Sequence, residues 1–164
     1  MNLKLKTLLN KLYKSFYIKS ISPDPLEFVH KFNDPGDREI VGLVSSSLAY
    51  GRVENILKSI NHILDVMDWS PYRFTMKFIP NKHAELFNGF SHRFNNGKDI
   101  ACLIYFARQM IEESNSIHGF FLKNYSPADR DIKQALIGFS KNVLELDSSP
   151  VYGKNKLPQD AGVR

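Results

Sequence analysis

The strongest constraint on the fold is a helical repeat of apolar side chains over residues 52–68. On a helical wheel these side chains fall within an arc of about 120°, which is the width of a face that packs on a core. The members of the repeat are Val53, Ile56, Leu57, Ile60, Ile63, Leu64 and Met67. The segment is therefore predicted to form an amphipathic helix.

Similar periods recur along the chain, and several of them begin at a proline, which suits the first helical turn. Further helices are predicted over residues 3–19, 35–49, 71–78, 98–114 and 126–147, the last capped by Ser126 and Asp129. Helix 35–49 is expected to be the most buried, with helix 52–68 beside it. No segment alternates like a strand. The sequence predicts a compact all-α domain of about seven helices and no sheet.

The last residues differ from the rest in composition. Residues 148–164 are rich in turn formers and carry almost no apolar period, which indicates an irregular tail after a helical domain of residues 1–147. A chain that ends in such a loop is expected to be truncated before a further element.

The cysteine count and the hydropathy of the sequence indicate a cellular compartment. Cys102 is the single cysteine, so no intramolecular disulfide forms, and a reducing compartment is expected. It lies next to the apolar side of its helix and is predicted to be buried and unreactive. No stretch reaches the roughly 20 apolar residues of a membrane span. These features predict a cytoplasmic protein with no membrane partner.

The excess of positive charge lies at the N-terminus. Residues 1–19 hold five lysines and no acid, whereas the remaining basic and acidic residues balance at 17 each. Lys4, Lys11 and Lys14 lie opposite the leucine face of the first predicted helix. They are candidates for binding an anionic partner such as DNA, or they form a solvated helix face.

Familiar catalytic and cofactor motifs are absent from the sequence. The five histidines are scattered and predicted to lie at the surface or in loops, so no metal ligands are assigned. Ser45–Ser47 lack the context of a hydrolase elbow, and the glycines do not form a phosphate-binding loop. No catalytic residue and no cofactor is predicted, and whether the protein is an enzyme stays open.

Two local clusters remain as candidate binding sites. Tyr50, Gly51 and Arg52 form a polar corner before the helix 52–68, where free amides and an arginine suit a phosphate. Alternatively, the corner only joins two packed helices. The loop Phe90–Asn95 interleaves aromatics with His92 and Arg93, which suits single-stranded or flipped bases. Alternatively, its phenylalanines anchor the loop to the core.

Three segments resemble a bacterial family known as domain of unknown function 2400. They are EIVGLVSSSLAYGR from Glu39, SPY from Ser70 and GFSHRFN from Gly89. The resemblance covers about residues 8–164, and the order of the motifs matches. Members of that family continue into two further segments that this chain lacks.

A more distant resemblance concerns helix-hairpin-helix DNA glycosylases. The helix–corner–helix stretch from Leu43 to Leu64 is similar to the early helices of that superfamily, and the resemblance implies the incomplete first part of such a fold. It places Tyr50 and Arg52 against DNA. The glycosylase hairpin, catalytic Lys and catalytic Asp are absent from this chain.

Two hypotheses follow. The chain is a DNA-repair-like, base-excision glycosylase-type domain without its catalytic segment, or it is a non-enzymatic interaction or nucleic-acid-binding module. DNA binding is expected to be weak and electrostatic, and an incompletely covered core is expected to favour self-association.

Overall fold

Helices account for most of the fold. The computed structural model describes residues 3–15 and 21–153. Its helices are α1 Leu3–Ser15, α2 Leu26–Val29, α3 Pro35–Ser47, α4 Val53–Val66, α5 Pro71–Lys77, α6 Pro80–His83, α7 Gly97–Ser114, α8 Ile117–Leu122, α9 Lys133–Leu144 and α10 Ser149–Tyr152. A 3-10 turn over Ala84–Phe87 follows α6.

The predicted all-α class is confirmed, with one small exception. Residues 36–68, all of which are described, contain no strand. However, Ser91–His92 (β1) and Asn95–Asn96 (β2) pair antiparallel, so the expectation of no sheet is wrong at this point. Two residues per strand are too few to produce a visible alternation in the sequence.

The core is centred on α7 more than on α3, contrary to the prediction. α7 buries eight residues, among them Ile100, Ile104 and Ala107. In α3 only Ile40, Val41, Val44 and Ser45 are buried, because one side of this helix faces solvent. α4 packs on the same core through the face predicted from its repeat, including Ile56, Ile60, Ile63 and Leu64.

The last large helix begins later than its sequence signal suggested. Asp129 Oδ2 accepts from the Ser126 amide at 3.4 Å, and Ser126 Oγ accepts from Ala128 N at 3.3 Å. These bonds close a local turn, and α9 starts only at Lys133. α9 then contributes Phe139 and Val143 to a second apolar cluster around Cys102, Phe106, Met110 and Phe120.

Two acidic side chains of α3 accept hydrogen bonds from the starts of other helices. Asp37, in the first turn of α3, accepts from the Tyr72 amide at the start of α5 at 2.8 Å. Glu39 accepts from the Ile117 amide at the start of α8 at 2.7 Å. Each carboxylate satisfies an amide that has no partner within its own helix, so α3 aligns two other helices.

The two ends of the chain are less enclosed. α1 is exposed at every residue from Lys4 to Ser15, and residues 16–19 of the predicted helix lie outside the described residues. Within the predicted tail, Ser149–Tyr152 form one helical turn, and residues 154–164 are not described. No helix in the described ranges has the length and apolarity needed to cross a membrane.

Candidate functional site

The two clusters singled out in the sequence meet in space. The corner Tyr50–Arg52 precedes α4, and Phe90–Asn95 include most of the β1–β2 hairpin. His92 Nε2 lies 3.1 Å from the Tyr50 carbonyl oxygen, and the two rings form an edge-to-face pair with centroids 5.0 Å apart. We call residues 50–52 and 90–95 together the corner–hairpin site.

His92 lies buried at the centre of this site. The sequence had predicted a histidine at the surface or in a loop. Only 3% of its surface is exposed. Because the Tyr50 carbonyl can only accept, Nε2 carries a proton and donates to it. Nδ1 is 2.9 Å from Ser59 Oγ on α4 and, in the neutral ring, accepts from that hydroxyl. The His92 side chain therefore connects the corner, α4 and the hairpin, and both of its ring nitrogens have partners within the protein.

The Tyr50 side chain contacts both strands of the hairpin. Its hydroxyl donates to Asn95 Oδ1, with the His92 carbonyl oxygen 3.4 Å away. Partial burial raises the pKa of Tyr50; the Arg93 charge opposes the shift, and the Asp99 charge adds to it. The hydroxyl therefore stays protonated and donating at neutral pH.

Gly51 lets the hairpin approach the corner. Its φ is +107°, a left-handed value that side chains rarely adopt. A Cβ at this position would lie 3.0 Å from Arg93 Cδ, so a side chain here would also crowd that arginine. A glycine at residue 51 thus permits both the turn and the contact with Arg93.

Positive and aromatic groups form the outer surface of the site. Arg52, Arg93 and Phe94 are exposed, and the Arg93 guanidinium carbon lies 5.8 Å from the centre of the Phe94 ring. None of the ion pairs among the described residues includes either arginine. The acidic Glu54 sits in the first turn of α4 and partly offsets this charge.

Capping interactions connect the hairpin to α7. Asn96 Oδ1 accepts from the Lys98 amide at 2.8 Å, and Asp99 Oδ2 accepts from the Asn96 amide at 2.7 Å, which forms a capping box. Asp99 Oδ1 also accepts from the Tyr152 hydroxyl of α10. The spacing Asn96-x-x-Asp99 is visible in the sequence and could have marked this helix start.

Gly97 allows the same region to pack tightly. A Cβ on Gly97 would lie 2.1 Å from the Phe87 carbonyl oxygen, a distance no side chain can tolerate. The start of α7, directly after the hairpin, thereby packs against the end of the 3-10 turn.

The remaining candidate residues lie elsewhere or are closed to solvent. Lys4, Lys11 and Lys14 are exposed on α1, a separate element from the corner–hairpin site. Cys102 is buried, as predicted, and burial raises the pKa of its thiol to about 12, with Asp99 and Asp147 adding to the shift. Within the described ranges, no three His, Cys, Asp or Glu side chains group as metal ligands.

Comparison with known proteins gives a family match. A family model described as a protein of unknown function (DUF2400) matches residues 24–161, a range that includes the corner, α4, the hairpin and α7. No curated protein and no solved structure matches the chain.

Proposed function

We propose that the corner–hairpin site binds nucleic acid in this chain, which belongs to the DUF2400 family of proteins of unknown function. The support is two exposed arginines, one of them beside an exposed aromatic ring, on a base held together by part-buried hydrogen bonds. Arginine recognises phosphate with several donors at once, and aromatic rings recognise bases by stacking.

The observation that carries the proposal is the backbone of Arg93. Its φ is +53°, although it is not glycine. The left-handed region costs a residue with a side chain roughly 1–2 kcal/mol. Arg93 is the first residue of the two-residue turn between β1 and β2, where a tight hairpin requires a positive φ and favours glycine. The turn therefore does not explain why an arginine stands here, and none of the ion pairs among the described residues includes its guanidinium.

The start of α4 adds a second group of donors. Arg52 is the N-cap residue, and its side chain does not cap the helix. The first amides of a helix have no partner in the helix and attract anions. A phosphate near this end would meet Arg52 and those amides, and Arg93 could contact the next phosphate along the strand.

Replacing Arg93 with glycine tests the proposal without damaging the fold. Glycine accepts a positive φ, so R93G is expected to keep or raise the midpoint of thermal unfolding. Its affinity for a short oligonucleotide should fall about tenfold, the value of one charged hydrogen bond. Fluorescence anisotropy at low and at physiological salt measures this.

R130G is the matched control, because Arg130 is also an exposed loop arginine. It removes the same charge away from the site and should change the affinity less than about twofold. If R93G and R130G lose the same affinity, the site makes no specific contact. If the wild-type chain does not bind at low salt, nucleic acid is not its ligand.

A base-excision role is a finer hypothesis within this proposal. It is supported by the distant similarity of the helix–corner–helix stretch to DNA glycosylases and by the exposure of Arg52 at that corner. The hypothesis gives His92, the one histidine of the site, no catalytic role, because its ring is buried and both ring nitrogens are occupied.

A second candidate function is a helical interaction module, with DNA contact or without it. The observation that favours it is the outer side of α9, where Leu136 is half exposed and Leu144 is 74% exposed, next to Ile132 before the helix. Only Ala135 of this helix is buried. An apolar surface of this kind fits a protein partner or a second copy of the chain.

A further inference from the structure

The hairpin tip carries an aromatic ring that the fold does not use. The register pairs Ser91 with Asn96 and His92 with Asn95, so Arg93 and Phe94 form the two-residue turn. Phe94 is 87% exposed, the highest value among the large hydrophobic residues of the described chain. Its ring therefore contributes almost nothing to the core.

The turn that carries the ring is nonetheless held in a defined place. The turn is closed by the β1–β2 pairing, and His92 and Asn95 on either side of it are bonded to the corner. An exposed ring on a rigid support loses little freedom when it binds, which favours recognition. A phenylalanine on a mobile loop would lose much more.

The neighbourhood of the ring indicates the chemistry of its partner. Arg93 lies beside the ring and Arg52 at the adjacent corner, both without ion pairs among the described residues. A partner that fits has a flat apolar face a few ångströms from negative charge. A nucleotide has this structure, with a base joined to a phosphate through its sugar.

We propose that Phe94 stacks on an unpaired base of a nucleic acid whose phosphates contact Arg93 and Arg52. This inference rests on the proposed function and narrows its ligand. In a perfect duplex both faces of an internal base are covered by its neighbours, so the ring gains access only by unstacking them. The chain should therefore prefer single-stranded or bulged sites to intact duplex.

Substitution F94A tests the stacking step. Because the ring is exposed, the thermal midpoint of F94A should equal that of the wild type. Its affinity for a short single strand should fall about tenfold, and its affinity for intact duplex less than about twofold. A single strand carrying 2-aminopurine should lose fluorescence when the wild type binds and keep it with F94A.

Y13A is the matched control, since Tyr13 on α1 is also a highly exposed aromatic at 78%. It should behave as the wild type in both assays. If F94A retains the preference for single strands and the quenching, Phe94 does not stack and this inference is wrong. In that case R93G decides separately whether the proposed function stands, because it measures the phosphate contact.

Discussion

His92 is a buried residue that positions the exposed residues of the corner–hairpin site. One ring nitrogen donates to the Tyr50 carbonyl, and the other pairs with Ser59 on α4. The corner, α4 and the hairpin therefore share one buried side chain. The arginines and Phe94 outside depend on it for their relative positions.

Replacing His92 with alanine should destabilise the protein by about 2–3 kcal/mol. The change leaves a cavity and removes two hydrogen-bond partners from a buried place. Denaturant unfolding measures the loss. H118A is the matched control, because the His118 side chain is exposed, and its free energy of unfolding should stay within about 0.5 kcal/mol of the wild type. Equal stability of the two variants would contradict a structural role for His92.

The role of His92 could not be read from the sequence. Its ring partners are 33 and 42 residues away, and no local pattern reports such distances. The residues of the corner and the loop were identified, because turn formers, aromatics and charges are visible in short windows. Their meeting in one site was not, because it depends on how α4 and α7 pack.

At the level of elements, periodicity was most informative where helices are long. α4 and α7 lie within two residues of their predicted bounds at both ends. The hairpin was missed because two-residue strands carry no pattern, and α9 was predicted to start too early because a capping sequence also closes an isolated turn.

Two positive charges can be removed from the corner–hairpin site and two from α1, which permits a comparison of the two elements. R52A/R93A should weaken oligonucleotide binding by tenfold or more, whereas K11A/K14A should weaken it less than about threefold. The reason is that Arg52 lies at the start of α4, beside its free amides, and Arg93 lies in the closed hairpin turn, while the lysines extend from a solvated helix. Anisotropy titrations at two salt concentrations provide both affinities and salt slopes.

Similar losses from the two double variants would leave only non-specific attraction to negative charge. A larger loss from the lysine pair would place the contact on α1 instead.

For the whole molecule, the exposed apolar side of α9 has consequences for its behaviour in solution. An exposed apolar stripe lowers solubility and favours association at high concentration. The described chain should therefore associate weakly with itself, and L136K should reduce that association. Sedimentation velocity over a range of concentrations measures it.

Q134K is the control for this variant, because it introduces the same charge at an exposed position of the same helix. It should associate as the wild type does. Monomeric behaviour of the wild type at every concentration would remove the self-association hypothesis and leave α9 available for a different partner.

The contact between Gly51 and Arg93 also restricts how relatives of this chain can diverge. A side chain at residue 51 would meet the Arg93 side chain at 3.0 Å and would need a backbone with φ of +107°. The two positions should therefore covary: members that lose the glycine should also have a smaller residue at the hairpin turn. Under the proposed function, such members would present a different hairpin turn to nucleic acid, so this pair of positions would divide the family into groups that differ in affinity.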